Sequence, residues 1–236
     1  DGNLGLEEGQ KFERGGIYRF TVDVTKGNTK AVLTVEKVGK VDLPAPDIFF
    51  GNDKMEVTDT DIYKSDQAFT QGQMITVTGI DNLNEWWIDP DFFEKQSDGA
   101  LKFLPINGDY RVTANAVLKY FSVMALKDGK PAKLQDDGTG AIWAIGKGIG
   151  KPSVTSSEVG WEPSKALCLA QVASKKYQLT LKAGETLKTS GDPEVISFKF
   201  FHQNDWGGEF GNYASSILVE QLKLADSGNL EMQDNK

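Results

Sequence analysis

The feature that most constrains the fold is a repeated alternation of apolar and polar residues along short segments. In "IYRFTVDV" the side chains of Tyr18, Phe20 and Val22 fall on one face, and the residues between them are polar. A period of two is typical of a β-strand with one buried face. The turn-forming residues "TKGN" follow, and then the β-branched run "AVLTVEKV". The sequence therefore predicts a β-hairpin over residues 12–37.

The same alternation returns through the rest of the chain. It is seen in "MITVTGI", "DYRVTANAV", "YFSVMAL", "YQLTLKAG" and "ISFKFF", which are separated by turns such as "KDGK" and "KAGE". The best helical candidate is "DPDFFEKQ", residues 89–96, of about two turns, where Asp89 would cap and Pro90 would occupy the first helical position. The pattern predicts an all-β chain of β-sandwich domains, immunoglobulin-like or similar to starch-binding modules.

A polar segment divides the predicted strands into two groups. Residues 127–141, "KDGKPAKLQDDGTGA", are rich in Gly, Asp and Lys, as expected of a domain boundary. We predict a first sandwich over residues 45–135 and a second over residues 136–236. Residues 1–44 then form a separate hairpin unit.

Two short stretches at opposite ends of the sequence resemble each other. Residues 2–11, "GNLGLEEGQK", align with residues 228–236, "GNLEMQDNK". On this pattern the hairpin corresponds to the closing strands of a repeating module. Two hypotheses remain open: the parent protein is a string of modules, or the hairpin supplies strands to the second sandwich, within the chain or from a neighbouring copy.

Composition excludes several classes of function. The formal net charge is -8 and the pI is about 4.8, so there is no basic face for a nucleic-acid partner. The single cysteine, Cys168, lies among apolar residues and is expected to be buried and unreactive. No apolar run reaches the ~20 residues that cross a bilayer, and "DGNLGLEEGQ" lacks the features of a signal peptide.

The stretch "FHQNDWGGEF", residues 201–210, is the strongest candidate for a binding site. Sugar rings stack on the face of an indole, and their hydroxyls bind amide and carboxylate groups. Trp206 is the predicted stacking platform, with Asn204, Asp205 and Glu209 as hydroxyl partners. The two glycines after the tryptophan would allow close approach of a ligand.

Further residues complete this candidate site. His202, Gln203 and Tyr213 are predicted to form its rim. The alternative for Trp206 is a place in the core, which is where we expect Trp143 in its apolar strand. Core packing is also the prediction for Trp161 in "GWEP".

An adjacent pair of tryptophans offers a rival platform. Trp86 and Trp87 occur in "NEWWIDPDFF". Neighbouring side chains of an extended segment point to opposite faces, so one of the two rings would be exposed if this stretch is a strand.

The second half of the chain resembles a known module. The order "IWAIGKGIG", "GWEP", "LKAGE", "FKF" and "WGGEFG" is similar to that of the SusE and SusF type surface glycan-binding lipoproteins of Bacteroidetes. The matching elements cover about 75 residues and are Trp143 to Gly150, Gly160 to Pro163, Leu181 to Glu185, Phe198 to Phe200, and Trp206 to Gly211. The early stretch "GGIYRFTVDVTKGNTKAVLTV" resembles the closing hairpin of that module.

The resemblance implies a non-catalytic β-sandwich that binds polysaccharide or oligosaccharide without a cofactor or metal. It implies a place on the outer face of the outer membrane, a lipid anchor in a segment outside this sequence, and a SusC/SusD-like uptake complex as partner. Two features depart from the family pattern. The lipidated N-terminal cysteine is absent, and "KPSVTSSE" lengthens the loop before Trp161.

Two other classes of function remain as alternatives. A glycoside hydrolase needs only two carboxylates, and the candidates are Glu85, Asp89, Asp91 and Glu94, which otherwise are solvated charges or caps. Nucleophilic and zinc catalysis are disfavoured, because the chain has one histidine and no "GxSxG" turn. The acidic stretch "TDTDIYKSD" matches no EF-hand spacing and is interpreted as a polar turn. The last alternative is a structural or adhesive β-module without a sugar site.

Overall fold

A computed structural model describes residues 12–25, 30–189, 196–210 and 222–232. Almost all of its regular structure is β, and the pairing of every sheet is antiparallel. The prediction of an all-β, sandwich-type fold is confirmed.

In the hairpin and the first half of the chain, residues 45–135, five strands have eight or more residues and the others have four or fewer. The strands are β1 (Gly16–Thr25), β2 (Lys30–Lys40), β3 (Phe49–Phe50), β4 (Asp53–Lys54), β5 (Glu56–Asp59), β6 (Ile62–Phe69), β7 (Met74–Ile75), β8 (Val77–Thr78), β9 (Phe93–Lys95), β10 (Leu101–Phe103), β11 (Gly108–Asn115), β12 (Tyr120–Lys127) and β13 (Lys130–Pro131). A 3-10 turn, Leu83–Glu85, precedes β9.

The second half, residues 136–236, has one long central strand. Its strands are β14 (Trp143–Gly150), β15 (Glu158–Gly160), β16 (Leu167–Cys168), β17 (Ala170–Ala173), β18 (Lys176–Gln178), β19 (Ser197–Phe201), β20 (Leu222–Leu224) and β21 (Leu230–Met232). One turn of helix, α1 (Val154–Ser157), and a 3-10 turn, Pro163–Lys165, connect them.

The largest sheet of the first half follows from its alternating sequence. It has the order β13-β12-β11-β6-β5, with two small three-stranded sheets beside it. Along β11 the side chains of Tyr110, Val112 and Ala114 are buried. On the opposite face Arg111 forms two hydrogen bonds of 2.7 and 2.6 Å with Asp66. The period of two thus separates core from solvent as the sequence predicts.

The main sheet of the second half is arranged around β14. Its order is β15-β14-β19-β21-β20, and β16 also pairs with β14. β14 is buried at every position except Lys147. At Gly146 a Cβ atom would lie 2.3 Å from the Cα of Phe198, so only glycine permits the approach of β14 to β19.

The buried residues of both halves form one connected hydrophobic core. It extends from Ile48 and Phe50 in the first half to Phe198 and Phe201 in the second. The predicted helix at residues 89–96 is wrong. Turns occupy this stretch up to β9, which begins at Phe93, and the rings of Phe92 and Phe93 are both buried.

A buried charge cluster links the two halves. Lys151, at the end of β14, bonds both carboxylate oxygens of Asp89, at 2.9 and 2.8 Å, and Asp91 at 2.9 Å. All three residues are at most 5 % exposed. The other bonds to Asp91 come from the second half, at 2.9 Å from Gln178 and at 2.6 Å from both the backbone N–H and the hydroxyl of Thr180.

The two carboxyl groups of this cluster differ in protonation behaviour. Burial raises the pKa of Asp89 above its ordinary value, because the attraction of Lys151 offsets burial only in part. At Asp91 burial acts in the same direction, but Lys151 and the bonds from Thr180 and Gln178 outweigh it and lower the pKa. Asp91 therefore holds its negative charge more strongly than Asp89 does.

Lys151→Met tests the importance of this cluster. The substitution leaves two carboxylates buried without their cation, so we expect the free energy of unfolding at pH 7 to fall by about 3–5 kcal/mol. Lys147→Met, at the exposed position of the same strand, is the matched control. Urea unfolding of both variants measures the difference. A loss below about 1 kcal/mol for Lys151→Met would contradict the role of the cluster.

The N-terminal hairpin is confirmed as a β1–β2 pair, with its turn outside the described residues. Within the described part of the chain these strands pair only with each other. Phe20 and Val22 are each 58 % exposed, and Arg14 forms an ion pair of 3.0 Å with Asp61 of the first half. Over the described ranges the hairpin does not pair with the second half of its own chain, and pairing with another copy stays a prediction.

Deletion of residues 1–40 tests whether the hairpin stabilises the rest of the chain. Since its apolar face covers little in this structure, we expect the free energy of unfolding of the remainder to change by less than about 0.5 kcal/mol. Thermal unfolding at several protein concentrations measures this. A loss of several kcal/mol would show instead that the hairpin completes the second half.

Candidate functional site

The strand directions of the second half bring two exposed tryptophans to the same end of the sheet. β15 and β19 lie on either side of β14, and both are antiparallel to it. β15 ends opposite Gly146 and β19 ends opposite Trp143, so the two strands leave the sheet in the same direction, on either side of β14. Trp161 directly follows β15, and Trp206 lies in the loop after β19.

The two indoles form what we call the tryptophan pair, Trp161 and Trp206. Their ring centroids are 6.3 Å apart and their planes differ by 24°. Trp161 is 37 % exposed and Trp206 is 51 % exposed. Beneath them, the buried ring of Phe201 meets Trp206 edge to face at 6.0 Å. The pair is thus an aromatic surface supported from the core.

The loop that carries Trp206 is closed by backbone hydrogen bonds. The N–H of His202 donates to the carbonyl of Gly208 at 2.7 Å, and the carbonyl of His202 accepts from Leu134 at 2.8 Å. Gly207 and Gly208 have φ angles of 80° and 67°, a region that glycine adopts without strain. The glycine pair therefore makes the turn that presents the indole.

The polar residues of the predicted site hold this loop in place. Gln203 Nε2 donates to the carbonyl of Trp206 at 2.6 Å. The N–H of Trp206 donates to Asp205 Oδ1 at 2.8 Å. Asp205 and Glu209 are exposed, and Asn204 is half-buried. Gln203 and Asp205 thus bind the Trp206 backbone, and the role of Asn204, Asp205 and Glu209 as hydroxyl partners stays a prediction.

Two rim residues differ in what the structure describes. His202 packs edge to face on Phe210, with centroids 4.2 Å apart, which places its ring beside the base of the loop. Tyr213, the other predicted rim residue, lies outside the described residues.

The prediction that Trp161 belongs to the core is wrong. Gly160, with a φ of 57°, turns the chain outward at the end of β15 and leaves the next indole at the surface. Next to it Glu162 accepts from Lys165 at 2.6 Å and from Ser164 at 2.8 Å, and these bonds lower its pKa. The sequence signal was the "GW" step, which we interpreted as a turn toward the sheet.

Core packing of Trp143 is confirmed. It is fully buried, and its Nε1 donates to the carbonyl of Ala132 at 3.0 Å. The prediction of Trp86 as an alternative stacking platform is wrong. Its side chain is 7 % exposed and stacks on Phe121, with ring centroids 4.6 Å apart. A 3-10 turn rather than a strand precedes it. Trp87 is half-buried.

The carboxylates proposed for a hydrolase do not form an open pair on the described surface. Asp89 and Asp91 are buried on Lys151, so their interpretation as solvated charges is also wrong. Glu85 forms an ion pair with Lys119, and Glu94 forms one of 3.0 Å with Lys102. Sequence alone could not find the buried cluster, because its lysine is 60 residues or more from both aspartates.

Other chemical candidates are in ordinary structural roles. Cys168 is buried, and burial raises the pKa of its thiol to about 12. In "TDTDIYKSD" the residue Asp61 turns the chain with a φ of 59° and pairs with Arg14. Over the described ranges no group of three His, Cys, Asp or Glu side chains is placed to hold a metal ion.

The exposure of Trp206 predicts how its loss affects stability. Trp206→Ala removes a ring that is half in solvent, so we expect the free energy of unfolding to fall by less than about 1.5 kcal/mol. Trp143→Ala, the control, empties a core position and should cost about 3–5 kcal/mol. Chemical unfolding measures both. Equal losses in the two variants would contradict the surface position of Trp206.

Comparisons with known proteins give family matches. A model described as "Domain of unknown function (DUF5121)" matches residues 1–25 and 137–236, more than half of the chain, and the chain belongs to this family. A second model, "Domain of unknown function (DUF5125)", matches residues 41–134. No curated protein and no solved structure gives a significant match. Among the described residues no helix has the length and apolar character needed to span a membrane.

Proposed function

We propose that this member of the DUF5121 family is a non-catalytic glycan-binding protein whose binding surface is the tryptophan pair. The observation that carries the proposal is the exposure of two nearly parallel indoles, 6.3 Å apart, on a loop and a strand end that the core supports. Adjacent exposed apolar side chains that form a contiguous patch on a folded domain often mark a binding site.

The chemistry of the pair suits a sugar. A pyranose ring has a face of C–H groups that packs on an aromatic face, and burial of that apolar area favours binding. The loop is already fixed by its own hydrogen bonds, so binding orders few further groups.

The charges near the pair favour an uncharged glycan. Asp205 and Glu209 are exposed beside Trp206, and Glu162 and Lys165 balance each other beside Trp161. An excess of carboxylates repels uronic acids and sulfated sugars. Carboxylates are also good acceptors for sugar hydroxyls.

The cellular setting is part of the proposal and derives from the resemblance to SusE and SusF type proteins. In that setting the chain acts at the outer face of the outer membrane, anchored by lipid, and captures polysaccharide for a SusC/SusD-like uptake complex. The all-β architecture is compatible with this.

A structural or adhesive module is the second candidate. The exposed apolar side chains of the hairpin favour it, since Phe20, Val22, Val24 and Val32 are each more than half exposed. On that alternative the chain would bind protein through its hairpin, and no polysaccharide would bind to the tryptophan pair.

Affinity electrophoresis in gels that contain starch, xylan, xyloglucan or mannan tests the proposal. We expect at least one of these polysaccharides to retard the native chain. Trp206→Ala and Trp161→Ala should each weaken retardation, with an increase in Kd of about 30-fold, because a buried aromatic contact contributes about 2 kcal/mol.

Val117→Ala is the matched control, since Val117 is 72 % exposed in the first half and away from the pair in sequence. It should migrate like the native chain in every gel. Retardation that both tryptophan variants retain in full would contradict the proposed surface. Release of reducing sugar that a single Asp or Glu substitution abolishes would contradict the non-catalytic assignment.

A further inference from the structure

A second concave surface lies between the two halves of the chain. It is a cleft of about 310 Å³ whose walls include Trp87 and Pro90 from the first half and Thr180, Lys182, Glu185 and Thr186 from the second. Ligand sites occur preferentially at such boundaries between domains, and this volume is near the lower end of their usual range. The cleft therefore has room for a small ligand group.

Trp87 is held rigidly in the wall of this cleft. Its Nε1 donates to Glu185 Oε1 at 2.9 Å, and its backbone N–H donates to the carbonyl of Lys119 at 2.8 Å. Tyr120 packs on it edge to face at 5.4 Å. The ammonium of Lys151 is 5.9 Å from the ring centroid but does not line the cleft. These contacts hold the Trp87 ring in position in the free protein.

The polar groups of the cleft are a paired acid and base. Glu185 Oε2 accepts from Lys182 at 2.5 Å. The hydrogen bond from Lys182 lowers the pKa of Glu185 most, and the bond from the Trp87 indole lowers it further. The carboxylate is therefore ionised near neutral pH. The side chain of Lys182 is 75 % exposed and can turn its other protons toward a ligand.

This combination selects a ligand class. The acid and the base cancel, so the cleft has no excess charge to attract a phosphate or a cation. An aromatic wall beside a carboxylate acceptor and an ammonium donor matches a ring with an apolar face and several hydroxyls. A neutral pyranose has that chemistry.

We propose that the cleft is a second carbohydrate subsite, separate from the tryptophan pair, that takes one neutral pyranose residue. Trp87 is the stacking face, and Glu185 and Lys182 are the hydroxyl partners. The choice of a sugar as the ligand class rests on the proposed function. The location of the subsite does not depend on the tryptophan pair.

The subsite exists only when the two halves are docked. The cluster of Lys151 with Asp89 and Asp91 lies directly behind Trp87 and fixes Thr180 against the first half. The walls match two different family models, residues 41–134 and residues 137–236. Neither half alone has both the ring and its hydroxyl partners.

The test uses the full chain labelled with 5-fluorotryptophan, which gives one fluorine signal for each of its five tryptophans. Single Trp→Phe variants assign the signals. The probes are the hexasaccharides of cellulose, xylan, mannan and starch, added separately. We expect one probe to shift the Trp87 signal, and to shift it also in the Trp206→Ala chain.

Glu185→Gln tests the hydroxyl partner while leaving an oxygen to accept from Trp87. It should raise the Kd measured from the Trp87 signal about tenfold or more, because hydrogen bonds to charged groups are the strong ones. Glu94→Gln is the control, because Glu94 is also a carboxylate paired with a lysine, and it should leave that Kd unchanged.

The outcomes separate this inference from the proposed function. A probe that shifts the Trp161 and Trp206 signals and leaves Trp87 unchanged overturns the cleft subsite alone. A probe that shifts Trp87 and neither of the other two supports the subsite and overturns the proposed surface. If no probe shifts any of the three signals, both are overturned.

Discussion

The ammonium of Lys151 between two buried aspartates is the interaction on which the arrangement of the chain depends. A cation with so little exposure is tolerated only with close partners, and both of them come from the other half of the chain. The buried ion pairs restrict the two halves to positions in which the ammonium meets both carboxylates. The connected core and the cluster therefore act together, the first supplying the driving force and the second the register.

This single position has consequences for the surface. Lys151 directly follows β14, which is also the strand whose two neighbours lead to the tryptophan pair. Its burial on both faces makes it the most constrained element of the second half. Aromatic groups that project from its neighbours, and Trp87 across the boundary, are therefore held by rigid supports. A preformed aromatic surface lowers the entropic cost of binding a carbohydrate, because little side-chain freedom is lost.

Local sequence predicted the parts of this structure that depend on local chemistry. Alternation predicted β11 and the hairpin, and the turn-rich stretch after Phe201 predicted an exposed Trp206. The errors have long-range causes. Burial of Asp89 and Asp91 depends on a lysine far along the chain, and Trp161 is exposed because Gly160 adopts a positive φ. Neither a partner across the core nor the sign of a backbone angle is readable from periodicity.

The central claim is that the tryptophan pair is the surface to which a glycan binds. A crystal structure of the chain grown with an oligosaccharide of the polysaccharide that retards it tests this most directly. We expect a pyranose ring in van der Waals contact, ~4 Å, with the exposed face of Trp206 and a second contact at Trp161. An oligosaccharide well ordered elsewhere on the chain, with both indoles in solvent, would contradict it.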